Sequence, residues 1–157
     1  VKEMIQIEWE VKLFKTLSIY ELYELLKLRV DVFVVEQTCP YPEIDGKDTH
    51  PETLHLVGRN IDKKIVAYSR ILPPGLSFNQ ASMGRVVVEK NSRGQGIFDA
   101  MLKKSLDQIR LTWPGENIRI SAQLYLMAFY QSYGFEPVSE SYLEDGILHI
   151  DMVKNSR

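Results

Sequence analysis

Two glycines stand between a predicted strand and a predicted helix, within the segment from Met83 to Ile109. The first N–H groups of a helix have no backbone acceptor, and with the positive end of the helix dipole they form a site for a phosphate or pyrophosphate. Gly94 and Gly96 allow the backbone to approach such an anion closely, because neither carries a Cβ atom. Arg93 adds a positive charge beside them. The segment therefore predicts an anion-binding turn, although two glycines before a helix can also serve an ordinary loop.

Length and composition restrict the class of protein. The chain has 157 residues, of which 45% are hydrophobic and 25% are charged, and its net charge is -2. These values are typical of one soluble globular domain, predicted here over residues 1–157, and they give no electrostatic basis for nucleic-acid binding. Residues 1–17 mix charged and apolar side chains, which predicts neither a signal peptide nor a membrane span. The single cysteine, Cys39, cannot form an internal disulfide, so we expect a cytoplasmic protein.

Alternating apolar residues and turn signals predict seven strands. These strands cover residues 5–14, 54–59, 64–72, 82–89, 118–122, 135–141 and 147–153. Asp145-Gly146 is typical of a hairpin turn and is expected to join the last two strands. Residues 36–53 form a long loop, and loops of this length are often functional.

Three helices are predicted between these strands. Ser18 stands three residues before Glu21, as in a capping box, and predicts the start of the first helix. Its apolar stripe is expected to consist of Leu22, Leu25, Leu26, Val30 and Phe33. The second helix follows the glycine turn and is expected to bury Phe98, Met101, Leu102 and Ile109. The third covers residues 126–133, and the order β-α-β-β-β-α-β-α-β-β implies a mixed sheet with helices on its faces.

Several motifs together resemble one protein family. The motif R-G-Q-G-I-F follows a strand, and F-Y-Q-S-Y-G-F follows a further strand and a short helix, as in the GNAT superfamily of acetyl-CoA-dependent N-acetyltransferases. The stretches F-V-V-E-Q-T-C-P-Y-P-E-I-D-G-K-D and G-R-V-V-V are similar to the ElaA-like branch, and the resemblance extends from Ile7 to Met152. It implies an α/β (α+β) fold with a mixed, mostly antiparallel sheet of about seven strands. The sheet should splay near strands 4 and 5 and carry helices on both faces.

The resemblance also implies how acetyl-CoA, the expected cosubstrate, would bind. It assigns the pyrophosphate to Arg93, Gly94, Gln95, Gly96, Ile97, Phe98 and Asp99, chiefly through backbone N–H groups. The pantetheine arm should lie along Val86, Val87 and Val88, and Gln123 should also contact the cofactor. This arrangement requires the strands at Val86 and Ser121 to separate and leave backbone groups unpaired. One residue departs from the family pattern, because Phe98 stands where glycine or alanine is usual.

Two residues are the candidates for proton transfer. Tyr130 matches the tyrosine that many relatives use to protonate the departing CoA thiolate, although it could simply be a core aromatic beside Phe129 and Tyr133. The glutamate that serves some relatives as a general base corresponds here to Ile118, which cannot accept a proton. We expect Glu36 to act as the general base instead, through a water molecule. Alternatively, Glu36 has only a structural role and bonds backbone amides of the loop.

The long loop carries further carboxylates. Glu43, Asp45 and Asp48 form either a solvated acidic surface or a region that attracts a protonated amine, which would favour a small cationic acceptor. His55 is as compatible with a structural histidine as with a functional one. The spacing and terminal glutamate of an EF-hand are missing, and no metal is expected.

The predicted function is transfer of an acetyl group to a primary amine by direct attack in a ternary complex. No Cys-His arrangement activates Cys39, so a covalent enzyme intermediate is not expected. The acceptor is a small-molecule or peptide amine, without membrane or nucleic-acid partners, and both a monomer and a homodimer stay open. The alternative is a non-catalytic acyl-CoA-binding or regulatory module, as Phe98 and the missing glutamate suggest. A P-loop hydrolase is excluded, because no Lys-Ser/Thr pair follows the glycines.

Overall fold

The strands form two four-stranded sheets. In the computed structural model, which describes residues 6–156, the first sheet has the order β1-β2-β3-β4 with antiparallel neighbours. Its strands are β1 (Glu8–Leu13), β2 (Leu54–Arg59), β3 (Ile65–Leu72) and β4 (Ser82–Val88). The second sheet contains β5 (Ile118–Gln123), β6 (Glu136–Pro137), β7 (Tyr142–Glu144) and β8 (Ile147–Lys154). In it, β8 pairs antiparallel with β5, β6 and β7.

Three helices connect and cover these strands: α1 (Ile19–Arg29), α2 (Ile97–Thr112) and α3 (Met127–Gln131). The predicted capping box is confirmed, because the Ser18 hydroxyl accepts from the N–H of Glu21 and the Glu21 carboxylate accepts from the N–H of Ser18, both at 3.0 Å. A π-helical turn, Val30–Glu36, extends α1. Across residues 6–156, no helix is long and apolar enough to span a membrane.

The two long helices lie on opposite faces of the first sheet. Residues of α1 pack with Val57 and Tyr68, whereas residues of α2 pack with Leu56 and Ala67. Side chains alternate between the two faces of a strand. Because a helix covers each face of the sheet, every residue of β3 is buried. The predicted placement of helices on both faces is therefore confirmed. Phe98 is an exception to the predicted stripe of α2, because Ile97 and Leu106 are buried in the core while Phe98 is half-buried.

The predicted stripe of the first helix packs against the core, but the most buried residues of the helix include several outside that stripe. Leu25 is fully buried, as expected, but the other buried residues of this segment are Leu28, Arg29 and Val32. An arginine at a core position was not expected from hydrophobic spacing. The carboxylates described below explain its burial.

Strand boundaries differ from the prediction at both ends of the chain. The first strand begins at Glu8, and Ile5 lies outside the described residues. Of the predicted strand 135–141, only Glu136–Pro137 forms a strand, β6, and β7 lies beyond its end at Tyr142–Glu144, so the protein has eight strands over the described range rather than about seven. Ser139 explains the interruption, because its hydroxyl replaces a backbone carbonyl as the acceptor for the N–H of Asp151, at 3.0 Å.

Residues 37–53 fold over a set of buried arginines. Arg29 has no exposed surface and donates to Glu43 at 2.5 Å and to Asp48 at 2.7 Å. Glu43 and Asp48 are themselves 5% and 6% exposed. Burial alone raises the pKa of Asp48, but hydrogen bonds and charges from Arg29 and Arg70 outweigh it and hold that pKa below its ordinary value. The prediction that this loop forms a solvated acidic surface is therefore wrong for Glu43 and Asp48.

Asp45 is held by two arginines of the first sheet. Arg70 of β3 donates to both of its carboxylate oxygens, at 2.8 and 2.7 Å. Arg85 of β4 forms a longer ion pair with it, at 3.4 Å, and a second one with Glu43, at 2.9 Å. His55 is also structural, since its ring bonds the Tyr68 hydroxyl and the carbonyl of Asp48. The loop is thus fixed to the sheet by charge pairs.

We expect Arg29→Met to lower the free energy of unfolding by about 3–5 kcal/mol, because breaking a buried ion pair leaves its partners without compensation. Chemical denaturation of the variant and the wild-type protein measures this loss. Lys27→Met is the matched control, since Lys27 pairs with Asp31 on the same helix but both side chains are exposed, and it should leave stability nearly unchanged. Equal stability of the two variants would show that the buried pairs contribute little.

Candidate active site

The two sheets meet only where β4 and β5 begin, within the described part of the chain. Ala81 and Ile118 form a parallel bridge, and the N–H of Arg119 donates to the carbonyl of Ala81 at 2.9 Å. Beyond this point no backbone hydrogen bond joins β4 to β5 within residues 6–156. A cavity of about 990 Å³ opens there, between residues 86–88 on one side and residues 121–123 on the other. The predicted splay is confirmed, and it leaves backbone groups available to a ligand.

A β-bulge shapes the wall formed by β4. Tyr68 pairs with Val87 and Arg70 pairs with Gly84, so two residues of β4 stand opposite Ser69 of β3. One of them, Arg85, has a left-handed backbone with φ of 50°, which is strained for a residue other than glycine. Bulges bend and twist a strand, so this one helps to turn β4 away from β5. The ion pairs of Arg85 with the loop hold it in place.

The predicted anion-binding turn follows β4. Gly94 and Gly96 have φ of 78° and 77°, and a Cβ added to either would meet no atom within 4 Å. Gly96 is the N-cap of α2, without a side-chain hydrogen bond. In residues 6–156, the N–H groups of residues 94–99 donate to no protein acceptor. The turn thus presents several unpaired N–H groups next to open space, as an anion site requires.

Most of the predicted cofactor residues line this one cavity. They are Val86, Val87, Val88, Arg93, Gly94, Gly96, Ile97, Phe98, Asp99 and Gln123. Gln95 is exposed and does not line it. The Phe98 ring packs edge-on against Phe129, with centroids 5.2 Å apart. The Phe98 side chain therefore packs against α3, and its N–H belongs to the unpaired set.

Glu36 and Arg93 form a bidentate ion pair in the wall of the cavity. The two N–O distances are 2.7 and 3.1 Å, and the Nε of Arg93 also donates to the carbonyl of Val88 at 3.0 Å. The hydrogen bond from Arg93 lowers the pKa of Glu36, which makes this carboxylate a weaker proton acceptor. Glu36 lines the cavity, but its geometry suits the positioning of Arg93 better than the removal of a proton.

Tyr130 combines a buried ring with a hydroxyl at the cavity. The residue is 6% exposed, and its ring makes edge contacts with Phe129 and Phe135 at centroid distances of 5.5 and 5.8 Å. The residue lines the cavity, and its hydroxyl makes no hydrogen bond to a group within residues 6–156. Burial raises the pKa of Tyr130 to about 12, so the phenol stays protonated at neutral pH. Tyr130 is thus both a packed aromatic and a proton donor without a partner.

Other cavity residues escaped the sequence analysis. His149 and Glu144 come from β8 and β7, and Arg85 comes from the bulge. No local pattern marks them, because their place depends on how β8 pairs with β5. Cys39 also lines the cavity, but it is 8% exposed and its thiol donates to the carbonyl of Asp145 at 3.2 Å. Among residues 6–156, no cluster of three His, Cys, Asp or Glu side chains could hold a metal ion.

Comparison with known proteins identifies relatives of this chain. The sequence model of a family described as an acetyltransferase (GNAT) domain matches residues 31–156. Protein ElaA of Escherichia coli strain K12 is 43% identical over 148 residues, which is 94% of this chain and 96% of that protein.

Solved structures agree with this match. The crystal structure of an acyl-CoA N-acyltransferase from Pseudomonas aeruginosa superposes with a TM-score of 0.91 at 42% identity, covering 95% of this chain and 99% of that one. The crystal structure of Escherichia coli ElaA gives a TM-score of 0.89 at 41% identity, covering 96% and 100%.

Proposed function

Because this chain belongs to the GNAT family of acyltransferases, we propose that it transfers the acetyl group of acetyl-CoA to a primary amine. One observation carries the proposal: the start of α2 with its unpaired N–H groups, the open edge of β4 and Tyr130 all line one cavity. The first would bind the pyrophosphate and the second would pair with the pantetheine arm as an added strand. The third stands where a leaving thiolate could be protonated.

The reaction is proposed to proceed by direct attack in a ternary complex. The amine nitrogen forms a bond to the thioester carbon, and an N–H of β4 stabilises the negative charge that develops on the carbonyl oxygen. The C–S bond then breaks, and Tyr130 donates a proton to the sulfur.

The carboxylates of the loop no longer argue for a cationic acceptor. Glu36 is paired with Arg93, and Asp45 and Asp48 are paired with Arg70. Paired carboxylates attract an incoming cation weakly. The acceptor is therefore proposed only as a small-molecule or peptide amine, and a screen should include neutral, cationic and zwitterionic amines.

Release of CoA thiol in the presence of such an amine panel tests the proposed function. We expect thiol release that depends on one class of amine, together with the mass increase of one acetyl group on that amine. Binding of acetyl-CoA without amine-dependent thiol release would instead identify a non-catalytic acyl-CoA-binding module. Absence of acetyl-CoA binding would contradict both functions.

Glu36→Gln separates a base from a positioning residue. We expect a severalfold higher KM for acetyl-CoA, because Arg93 loses its bidentate anchor. The kcat should stay within about a factor of three of the wild-type value, because loss of a general base would lower it by about 10²-fold or more. Steady-state kinetics measures both parameters. Arg93→Gln should give the same change in KM, and the double variant should add little to it. A fall in kcat of about 10²-fold with unchanged KM for acetyl-CoA would assign Glu36 the base role after all.

A further inference from the structure

His149 stands in the cavity wall and has no part in the function proposed so far. It lies on β8 opposite Gln123 of β5, and both residues line the cavity. It is 9% exposed. Its ring stacks on Tyr142 of β7, with centroids 6.2 Å apart and planes at 24°. Stacking and burial together hold this imidazole in one orientation.

Hydrogen bonding fixes the tautomer of the ring. Nδ1 of His149 lies 2.7 Å from the carbonyl oxygen of Ile147. Because a carbonyl only accepts, Nδ1 must carry the hydrogen, and the neutral ring then has its lone pair on Nε2. Within residues 6–156, Nε2 makes no hydrogen bond. Its neighbour is Glu144, whose carboxylate oxygen is 3.5 Å away. That distance is long for a hydrogen bond.

The surroundings of the ring leave Glu144 as its main electrostatic partner. The titratable and charged groups paired with the ring or with its stacking partner are Glu144, Tyr142 and Asp151. The Tyr142 hydroxyl bonds Ser121 and Asp151 at 2.5 Å, and burial, with the hydrogen bond to Asp151, raises the pKa of Tyr142 to about 12. Arg119 neutralises Asp151 at 2.7 Å. Neither member of that pair competes for the proton of an amine.

We propose that His149 is the proton acceptor for the attacking amine, a role that rests on the proposed acetyl transfer. The ammonium group of the acceptor gives one proton to Nε2, and the imidazolium passes it to solvent. The neutral amine then forms the C–N bond. As the C–S bond breaks, the thiolate takes a proton from Tyr130. The second proton lost by the nitrogen returns, through water, to the Tyr130 oxygen, so that one proton leaves per turnover.

Other groups at the cavity are poorer bases. Glu36 is bound to Arg93 with a lowered pKa, and Asp45 is bound to Arg70 and Arg85. Ile118 occupies the position at which some relatives place a glutamate. Histidine side chains ordinarily titrate between pH 5 and 8, the range in which a general base is most effective.

Kinetics of His149→Gln test this role. With the most reactive alkylamine of the panel, we expect kcat/KM to fall by about 10²-fold or more, with the Kd for acetyl-CoA unchanged. The acid limb of the wild-type pH profile, which reports the base of the free enzyme, should disappear. Methoxyamine is unprotonated at neutral pH, so the variant should slow its acetylation much less. His50→Gln is the matched control, because His50 does not line the cavity, and it should behave as the wild type.

A second measurement does not depend on turnover or on the stability of that variant. Nitrogen NMR of histidine-labelled wild-type protein should show neutral His149 with its hydrogen on Nδ1. A hydrogen on Nε2, or an unchanged rate in His149→Gln, would overturn the inference while leaving the acetyl transfer intact. No thiol release by the wild type with any amine would overturn both.

Discussion

Tyr130→Phe is expected to lower the turnover number for acetyl transfer by about 10²–10⁴-fold. The substitution removes one hydroxyl and keeps the ring that contacts Phe129 and Phe135. Without that hydroxyl, the thiolate must leave without its proton donor. The hydroxyl has no hydrogen-bond partner in residues 6–156, so its removal leaves no buried group unsatisfied and should cost little stability. Steady-state kinetics and a thermal melt measure the two effects.

Tyr133→Phe is the matched control for this prediction. The Tyr133 ring contacts the same Phe129, with centroids 5.1 Å apart, but its hydroxyl bonds Asp99 and the residue does not line the cavity. We expect this variant to lose some stability and to keep nearly all of its turnover. Normal turnover in Tyr130→Phe would show that Tyr130 serves only to pack the core.

Gly96→Glu is expected to abolish the binding of acetyl-CoA. Gly96 has a left-handed backbone, where any other residue costs about 1–2 kcal/mol. The larger effect is electrostatic, because the new carboxylate would stand beside the unpaired N–H groups of the turn and repel the phosphates. Calorimetric titration of the folded variant with acetyl-CoA measures the loss.

Gly115→Glu controls for backbone strain and added charge. Gly115 lies beyond the C-terminal end of α2, has φ of 83°, and a Cβ there would meet no atom within 4 Å. This variant carries the same charge and a similar strain but does not touch the cavity. We expect it to bind acetyl-CoA as the wild type does. Unchanged affinity in Gly96→Glu, or an equal loss in both variants, would contradict the assignment of the turn.

The elements of the fold were largely predictable because their signals are local. The capping box at Ser18 and the alternation along β1 each act within a few residues of sequence. Where distant groups decide the outcome, the prediction was wrong. The predicted strand 135–141 shortens to β6, and the hydroxyl of Ser139 takes the place of a backbone carbonyl as the acceptor for Asp151 of β8. Arg29 occupies a core position because carboxylates 14 and 19 residues away fold back onto it.

The candidate site divides in the same way. The turn at Gly94 and Gly96 was predicted from sequence, because positive φ and a helix N-terminus leave a local pattern. No local sequence pattern predicts His149 as a cavity residue, because it reaches the cavity only through the register of β8 against β5. Glu36 and Arg93 are 57 positions apart in the sequence, so no local sequence pattern predicts that they form an ion pair.

A crystal structure of the protein with acetyl-CoA is the most direct test of the acyl-CoA site on which the account depends. We expect pyrophosphate oxygens within hydrogen-bonding distance of the N–H groups of residues 94–99, the pantetheine arm between β4 and β5, and the thioester sulfur next to the Tyr130 hydroxyl. Acetyl-CoA bound at another surface, or a cleft between β4 and β5 that stays empty at saturating acetyl-CoA, would contradict it.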